Sequence, residues 1–286
     1  MTAPLTEALA SPPVTTKRPS LVGLIREGFA DLLGRYRLIS YLVGADLKRT
    51  HADTLLGQLW WVFDPLLQMA VYFVLVEIIF QRKTPDFPLF LFAAILPWKW
   101  FTTTLNDATL SVTGRQSLIR QLQFPKLVLP TAAVAAGTAS FLFGLIALGL
   151  VYLFYLERLS PWVVAIPVIA AVQFVFTLAL AIALSAFNAF YRDVQNVLRH
   201  ALRLWFYLSP VLYSLDKSVL GEHKIIMAVL SLNPFAVLLT SYRDVTWGTT
   251  SPDWQGLLNV LIGSLVLLTA SIALFKRVEP AFARIL

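Results

Sequence analysis

Residues 162–191 read WVVAIPVIAAVQFVFTLALAIALSAFNAFY. That run exceeds the roughly 20 helical residues needed to carry a chain across a hydrocarbon core. Five further runs of the same character cover 59–80, 88–112, 127–156, 197–214 and 257–275. The run at 88–112 is the most polar, because Lys99, Asn106 and Asp107 fall in its later half. Composition points the same way: 58% of the 286 residues are hydrophobic and 14% charged, with a mean hydropathy of +0.72. Soluble domains carry about 25% charged residues, and a water-soluble fold built from this chain would lack the groups to cover its surface. The sequence therefore predicts an all-α integral membrane protein with six transmembrane helices.

The net charge is +7 and the isoelectric point near 9.7. Lys and Arg are scattered between the apolar runs with no basic block, so nucleic acid is not read as a partner. Their distribution instead sets orientation. Arg26, Arg35, Arg37, Lys48 and Arg49 precede the first span. Arg115, Arg120 and Lys126 lie between the second and third, Arg192 between the fourth and fifth with Arg199 and Arg203 at the start of the fifth, and Lys276, Arg277 and Arg284 in the tail. The alternate connections hold fewer, which predicts both termini in the cytoplasm. There is no Cys, and His occurs only at His51, His200 and His223. That excludes disulfides and thiolate metal sites and argues against a His-based zinc site; no metal site is expected. Residues 1–20 lack a basic stretch followed by an apolar core, so the first span is expected to serve as the insertion signal.

Three regions are expected. Residues 1–19, rich in Pro, Thr and Ala, form a disordered tail. In 20–57, Val22, Ile25, Phe29, Leu33, Tyr36, Ile39, Val43 and Leu47 recur at helical spacing among charged residues, which predicts an N-terminal amphipathic helix region at the membrane interface. Residues 58–286 form the transmembrane domain. Within it, 215–254 is an outer connection where a short apolar run at 225–232 is broken by Asn233-Pro234 and resumes at Phe235. Two short re-entrant gate helices meeting at that turn fit the pattern, as do two amphipathic helices resting on the outer surface.

No Gly-rich loop ending in Gly-Lys-Ser/Thr occurs in the sequence, nor a Ser/His/Asp or paired-carboxylate arrangement, so no catalytic residue is assigned and energy must come from elsewhere. Of the in-span ionisable residues Asp64, Glu77, Lys99 and Asp107, only Lys99 sits near mid-depth, which does not support a proton relay. Two helical stripes are more informative. Trp61, Asp64, Gln68 and Tyr72 align on the first span; Arg199, Arg203, Phe206, Pro210 and Tyr213 align on the fifth. Such polar-aromatic faces avoid lipid, and either a pore or bundle packing accounts for them. Ala132, Ala136, Ser140 and Gly144 form a small-residue ridge that permits close helix approach. Between the second and third spans, 115–126 predicts a short cytoplasmic helix ending at Phe124-Pro125. It carries Leu118, Ile119 and Leu122 beside Arg115, Ser117 and Arg120, a pattern suited to docking.

The ordered set Asp46-Leu47-Lys48, Leu56-Gly57, Trp60, Pro65-Leu66, Leu96-Pro97-Trp98, Leu118-Ile119, Phe124-Pro125, Leu129-Pro130, Tyr191-Arg192-Asp193, Ser209-Pro210-Val211, Tyr213 and Asn233-Pro234 resembles the ABC-2 type permeases. The resemblance is to the polysaccharide-export branch (O-antigen, capsule and teichoic acid) and covers about residues 38–280. It implies a homodimer of permeases paired with two ABC ATPase subunits, which bind the ATP and Mg; no cofactor is expected on this chain. It further implies that 115–126, with Arg115, Ser117, Leu118, Ile119, Arg120, Leu122, Phe124 and Pro125, is the coupling helix that seats in the ATPase. Trp61, Asp64, Gln68, Tyr72, Arg199, Arg203, Phe206 and Tyr213 then line the channel, with Asn233, Pro234 and Phe235 at the outer gate. The implied substrate is a glycan on an undecaprenyl-type pyrophosphate carrier, moved outward across a bacterial inner membrane, with membrane lipids as the remaining partner. His51 replaces a usual Tyr and Lys99 interrupts a usual aromatic run. The readings set against this one are an ABC-2 permease for a small hydrophobic drug or other lipid, and a membrane-embedded glycosyltransferase, which would need acidic residues grouped at an interfacial loop.

Overall fold

The computed structural model describes residues 20–50, 54–79, 81, 84–214 and 232–285. The expected tail 1–19, His51 and nearly all of the apolar run 225–232 lie outside the described residues. Among those described, every regular element is helical. Among the described residues, four helical stretches are long and apolar enough to cross a membrane: Gly57–Ile79, Val128–Tyr152, Pro161–Phe190 and Trp254–Phe282.

The chain opens with α1 (Leu21–Gly34) and α2 (Tyr36–Thr50). Ser20 starts α1 by accepting from the Gly23 N–H at 3.1 Å, as an N-cap hydroxyl should. The first apolar stretch contains α3 (Trp60–Phe73), which runs into a π-helical segment at Val74–Ile79. Then follow α4 (Phe87–Leu110), the short α5 (Gln116–Gln121), α6 (Val128–Tyr152), α7 (Ile166–Phe190), α8 (Val194–Leu208), α9 (Pro234–Thr246) and α10 (Trp254–Ile285).

α4 is the central post. It packs against α3, α6, α7, α8 and α9, and nearly all of its apolar side chains are buried. This explains its composition: a helix sheathed by other helices need not present apolar groups to lipid, so the polar residues of its inner half are tolerated. α7 and α10 pack along much of their lengths. α1 lies against α10 so closely that a Cβ on Gly28 would stand 2.2 Å from Ile272 Cγ2, a spacing only glycine allows.

α8 differs from the expected run at 197–214. Its 15 residues extend about 22 Å at 1.5 Å per residue, short of a ~30 Å hydrocarbon core. Pro210 explains the stop. It disfavours helical backbone in the residue before it, and Ser209 is extended, at φ −104° and ψ 148°.

Candidate functional site

Three sequence motifs converge at the ends of α8 and α9. Asn233 caps α9: its Oδ1 accepts from the Phe235 N–H at 3.0 Å and from the Trp205 indole N–H at 2.9 Å. Its amide nitrogen donates to Ser209 Oγ at 2.9 Å and to the Leu208 carbonyl at 3.2 Å. Phe235, fully buried, sits among Trp98 at 5.0 Å, Phe101 at 4.2 Å and Trp205 at 5.6 Å between ring centroids. Gln173 on α7 donates to the Pro97 carbonyl at 2.8 Å. Asn233, Pro234 and Phe235 thus form a joint between the end of α8 and the start of α9, with Asn233 and Phe235 buried.

Arg243 locks that joint. It is 5% exposed and donates to the carbonyls of Phe90 at 3.2 Å and Tyr213 at 2.9 Å, and to those of Pro210 and Val211. Its guanidinium carbon lies 3.7 Å from the Phe90 ring centroid. The physical need comes from the Ser209-Pro210 break: carbonyls past a helix end have no N–H to meet them, and one guanidinium supplies five donors. Burial lowers the Arg243 pKa to about 9, so it stays cationic at neutral pH. Beside it, burial and then the Asp253 charge push the Asp244 carboxyl up to about 6.

The two predicted stripes meet at one point. Tyr72 on α3 stacks on Phe206 on α8, with centroids 5.6 Å apart and planes at 24°. Phe206 and Pro210 are buried, Gln68 and Tyr213 half-buried, and Arg199 and Arg203 exposed. The lower half of the α3 stripe goes elsewhere. Trp61 leans on Phe143 of α6 at 4.8 Å, and Asp64 pairs with Lys99 of α4 at 2.7 Å. Both line a cavity of about 570 Å³ enclosed by α2, α3, α4 and α6. The small-residue ridge borders it: Ala136, Ser140 and Gly144 line its wall, while a Cβ on Gly144 would meet Leu96 at 2.5 Å.

At the cytoplasmic end expected from the charge pattern, α5 turns Ile119 into the bundle and holds Leu118 and Phe124 half-buried against the core. Its exposed groups are Ser117, Arg120, Gln121 and Leu122. Arg115 pairs with Asp46 of α2, and Pro125 is half-buried. Nearby, Lys276 of α10 is 7% exposed and bridges Glu27 at 2.8 Å, Asp31 at 2.5 Å and Glu279 at 3.0 Å. Glu279 in turn accepts from the Lys126 N–H at 2.5 Å. These contacts tie α1, α10 and the start of α6 together.

An O-antigen export system permease protein RfbA of Myxococcus xanthus is 34% identical to this chain over 268 residues, 92% of this chain and 99% of the relative. The chain belongs to the ABC-2 type polysaccharide-export permeases. Two Klebsiella pneumoniae proteins of the same name are each 26% identical over 253 residues, 88% of this chain and 95% of theirs. No protein-family model matches the chain. In this ABC-2 permease, two groups carry more than the sequence pattern assigns them. Lys99, an interruption of an aromatic run by pattern, is one half of an ion pair across α3 and α4. Arg243, by pattern one more outer charge, is the buried clamp of the α8–α9 joint. Two in-span residues of opposite charge, Asp64 and Lys99, are the sequence sign of the first; nothing local signals the second.

Proposed function

We propose that this permease is the membrane subunit of an ATP-driven exporter that moves undecaprenyl-pyrophosphate-linked polysaccharide from the cytoplasmic to the outer side of a bacterial inner membrane. The observation that carries this reading is the end-to-end match to a permease named for O-antigen export. The absence of a nucleotide-binding loop from the sequence supports a separate ATPase, two copies of which would serve a permease homodimer. In the assembled transporter six segments span, with α4 and α8 completed by protein neighbours, and both termini are cytoplasmic. Gln68 and Tyr72 of α3 and the stripe of α8 face the dimer axis: aromatic faces let sugar rings slide without fixing one register, and Arg199 and Arg203 draw the pyrophosphate through charge-assisted hydrogen bonds.

Coupling follows from the inner-face contacts. α5 docks on the ATPase through Ser117, Arg120, Gln121 and Leu122, the groups it leaves exposed. Ile119, Leu118 and Phe124 root the helix in the bundle core, so movement of α5 is carried to that core and not absorbed in a loop. The Arg115–Asp46 pair and the Lys276 cluster join α2, α1 and α10 to the same body. The test is to purify the permease with its ATPase partner and measure ATP hydrolysis with lipid-linked glycan. Stimulation that is lost in an Arg199→Gln/Arg203→Gln variant, with assembly and basal hydrolysis intact, supports the reading; unchanged stimulation in that variant removes the pyrophosphate role.

A further inference from the structure

The cavity between α2, α3, α4 and α6 lies apart from the contact between α3 and α8. Along α4 it reaches from Leu96 to Leu110, roughly 21 Å at 1.5 Å per residue. Its volume, about 570 Å³, falls within the ~300–1,000 Å³ of small-ligand sites. Its charged lining is balanced: Asp46, Asp64 and Asp107 against Arg49, Lys99 and Arg115. Two of the ion pairs are made within the wall, Asp64–Lys99 and Asp46–Arg115, leaving Asp107 and Arg49 without an ion pair among the described residues. Trp100 and Thr104, 4% and 0% exposed, also border the cavity. Trp100 Nε1, Thr104 Oγ1 and Arg115 Nη1 find no hydrogen-bond partner among the described residues. The indole of Trp61 supplies apolar surface in the same wall, backed by Trp100 and Phe141, which stack on each other with ring centroids 4.4 Å apart.

These properties select a class of ligand. A bare acyl chain gains nothing from donors and carboxylates spread along the groove, and would leave them desolvated. A pyrophosphate calls for excess positive charge, which the balanced lining withholds. A neutral polyhydroxylated ring meets both demands, since hydroxyls donate to carboxylates and accept from ammonium and guanidinium groups, and its C–H faces pack on an aromatic ring. We infer that this cavity is a sugar-binding site of the permease, separate from the Tyr72–Phe206 contact of α3 and α8, with Asp107, Arg49 and the Asp64–Lys99 pair as its polar contacts and Trp61 as its apolar one. The inference rests on the export reading only for the source of the sugar.

The cysteine-free sequence makes the test direct. Single Thr103→Cys and Ser140→Cys variants place a thiol in the cavity wall, and Ala270→Cys places one on an exposed face of α10. The full chain is held in phospholipid nanodiscs, and the rate of modification by a small hydrophilic thiol reagent is measured. Octyl β-glucoside or octylphosphocholine, each below its micelle concentration, is then added. The expected result is modification of the two cavity thiols but not of Ala270→Cys. The glucoside at ten times its Kd should slow it roughly tenfold, and the phosphocholine should leave it unchanged. Adding Ala136→Phe to Thr103→Cys should abolish the protection by filling the wall; should that variant fail to fold, the comparison of the two amphiphiles still decides. Equal protection by both would mean an alkyl-chain groove, and no protection, or thiols as inert as Ala270→Cys, would mean no sugar site; each overturns the inference. Export by the assembled transporter without glucoside protection would sink the site alone, and protection without glycan-dependent ATP hydrolysis would sink the export reading alone.

Discussion

Replacing Lys99 with Met removes the cation facing Asp64 across α3 and α4. Two unit charges at about 4 Å interact by roughly 1 kcal/mol in water and 4 kcal/mol at the effective dielectric of a protein surface. The Asp64 side chain is 57% exposed and that of Lys99 26%, and both border the cavity; with water in that cavity a coupling of ~1–2 kcal/mol is expected. The loss should be largest when one partner remains. Asp64→Leu strands an ammonium within the span, and Lys99→Met strands a carboxylate, whereas the double replacement leaves neither. The assay is a double-mutant cycle in sodium dodecyl sulfate titrations from mixed micelles, followed by circular dichroism. Both single variants should lose stability, and the double variant should lose less than their sum. A coupling within ~0.5 kcal/mol of zero, the scatter of independent sites, would refute the claim that this pair holds α3 to α4.

The Arg243 clamp predicts that Arg243→Met, which strips donors from the carbonyls of Phe90, Pro210, Val211 and Tyr213, costs ~3 kcal/mol or more. Arg243→Lys should recover only part of it, since an ammonium lacks the planar fork; thermal unfolding in detergent reads both. Asp244, with its folded pKa raised to about 6 above the ordinary ~3.9, binds its proton more tightly in the native state. Its contribution to stability is therefore present at acid pH and lost as pH rises through that window. Asp244→Asn should flatten that part of the stability profile. For topology, Thr84→Cys should react with an impermeant reagent in intact spheroplasts, while Ser117→Cys should react only after permeabilisation.

What the sequence made legible follows from what lipid and protein each demand. Lipid demands apolar surface at every exposed position, so the runs at 59–80, 127–156, 162–191 and 257–275 declare themselves as helices. α4 declares itself weakly because protein covers it, and burial among helices tolerates Lys99 and Asn106. The pattern at 197–214 overshoots because Leu, Val and Tyr continue past Pro210 while the helix does not. Spacing placed Trp61, Asp64, Gln68 and Tyr72 on one face of α3 but did not show which neighbour that face meets; it meets the α4–α6 cavity below and Phe206 above. The apolar residues of 115–126 read as an exposed docking patch, yet Ile119 is buried in this chain and Leu122 is the exposed apolar group of α5. Arg243 was out of reach, because its partners are carbonyls freed by a turn elsewhere in the sequence. Carbonyls leave no trace in side-chain pattern.

The central claim, that this ABC-2 permease is the membrane path of a polysaccharide exporter, is tested most directly by transport itself. The permease and its ATPase are reconstituted in proteoliposomes loaded on one leaflet with lipid-linked polysaccharide, and the appearance of glycan on the other leaflet is followed with a membrane-impermeant lectin. ATP should drive lectin binding, and a Leu122→Asp variant, altered at the exposed face of α5, should lose that ATP dependence. Lectin binding that rises at the same rate without ATP, or with the ATPase alone, would contradict it.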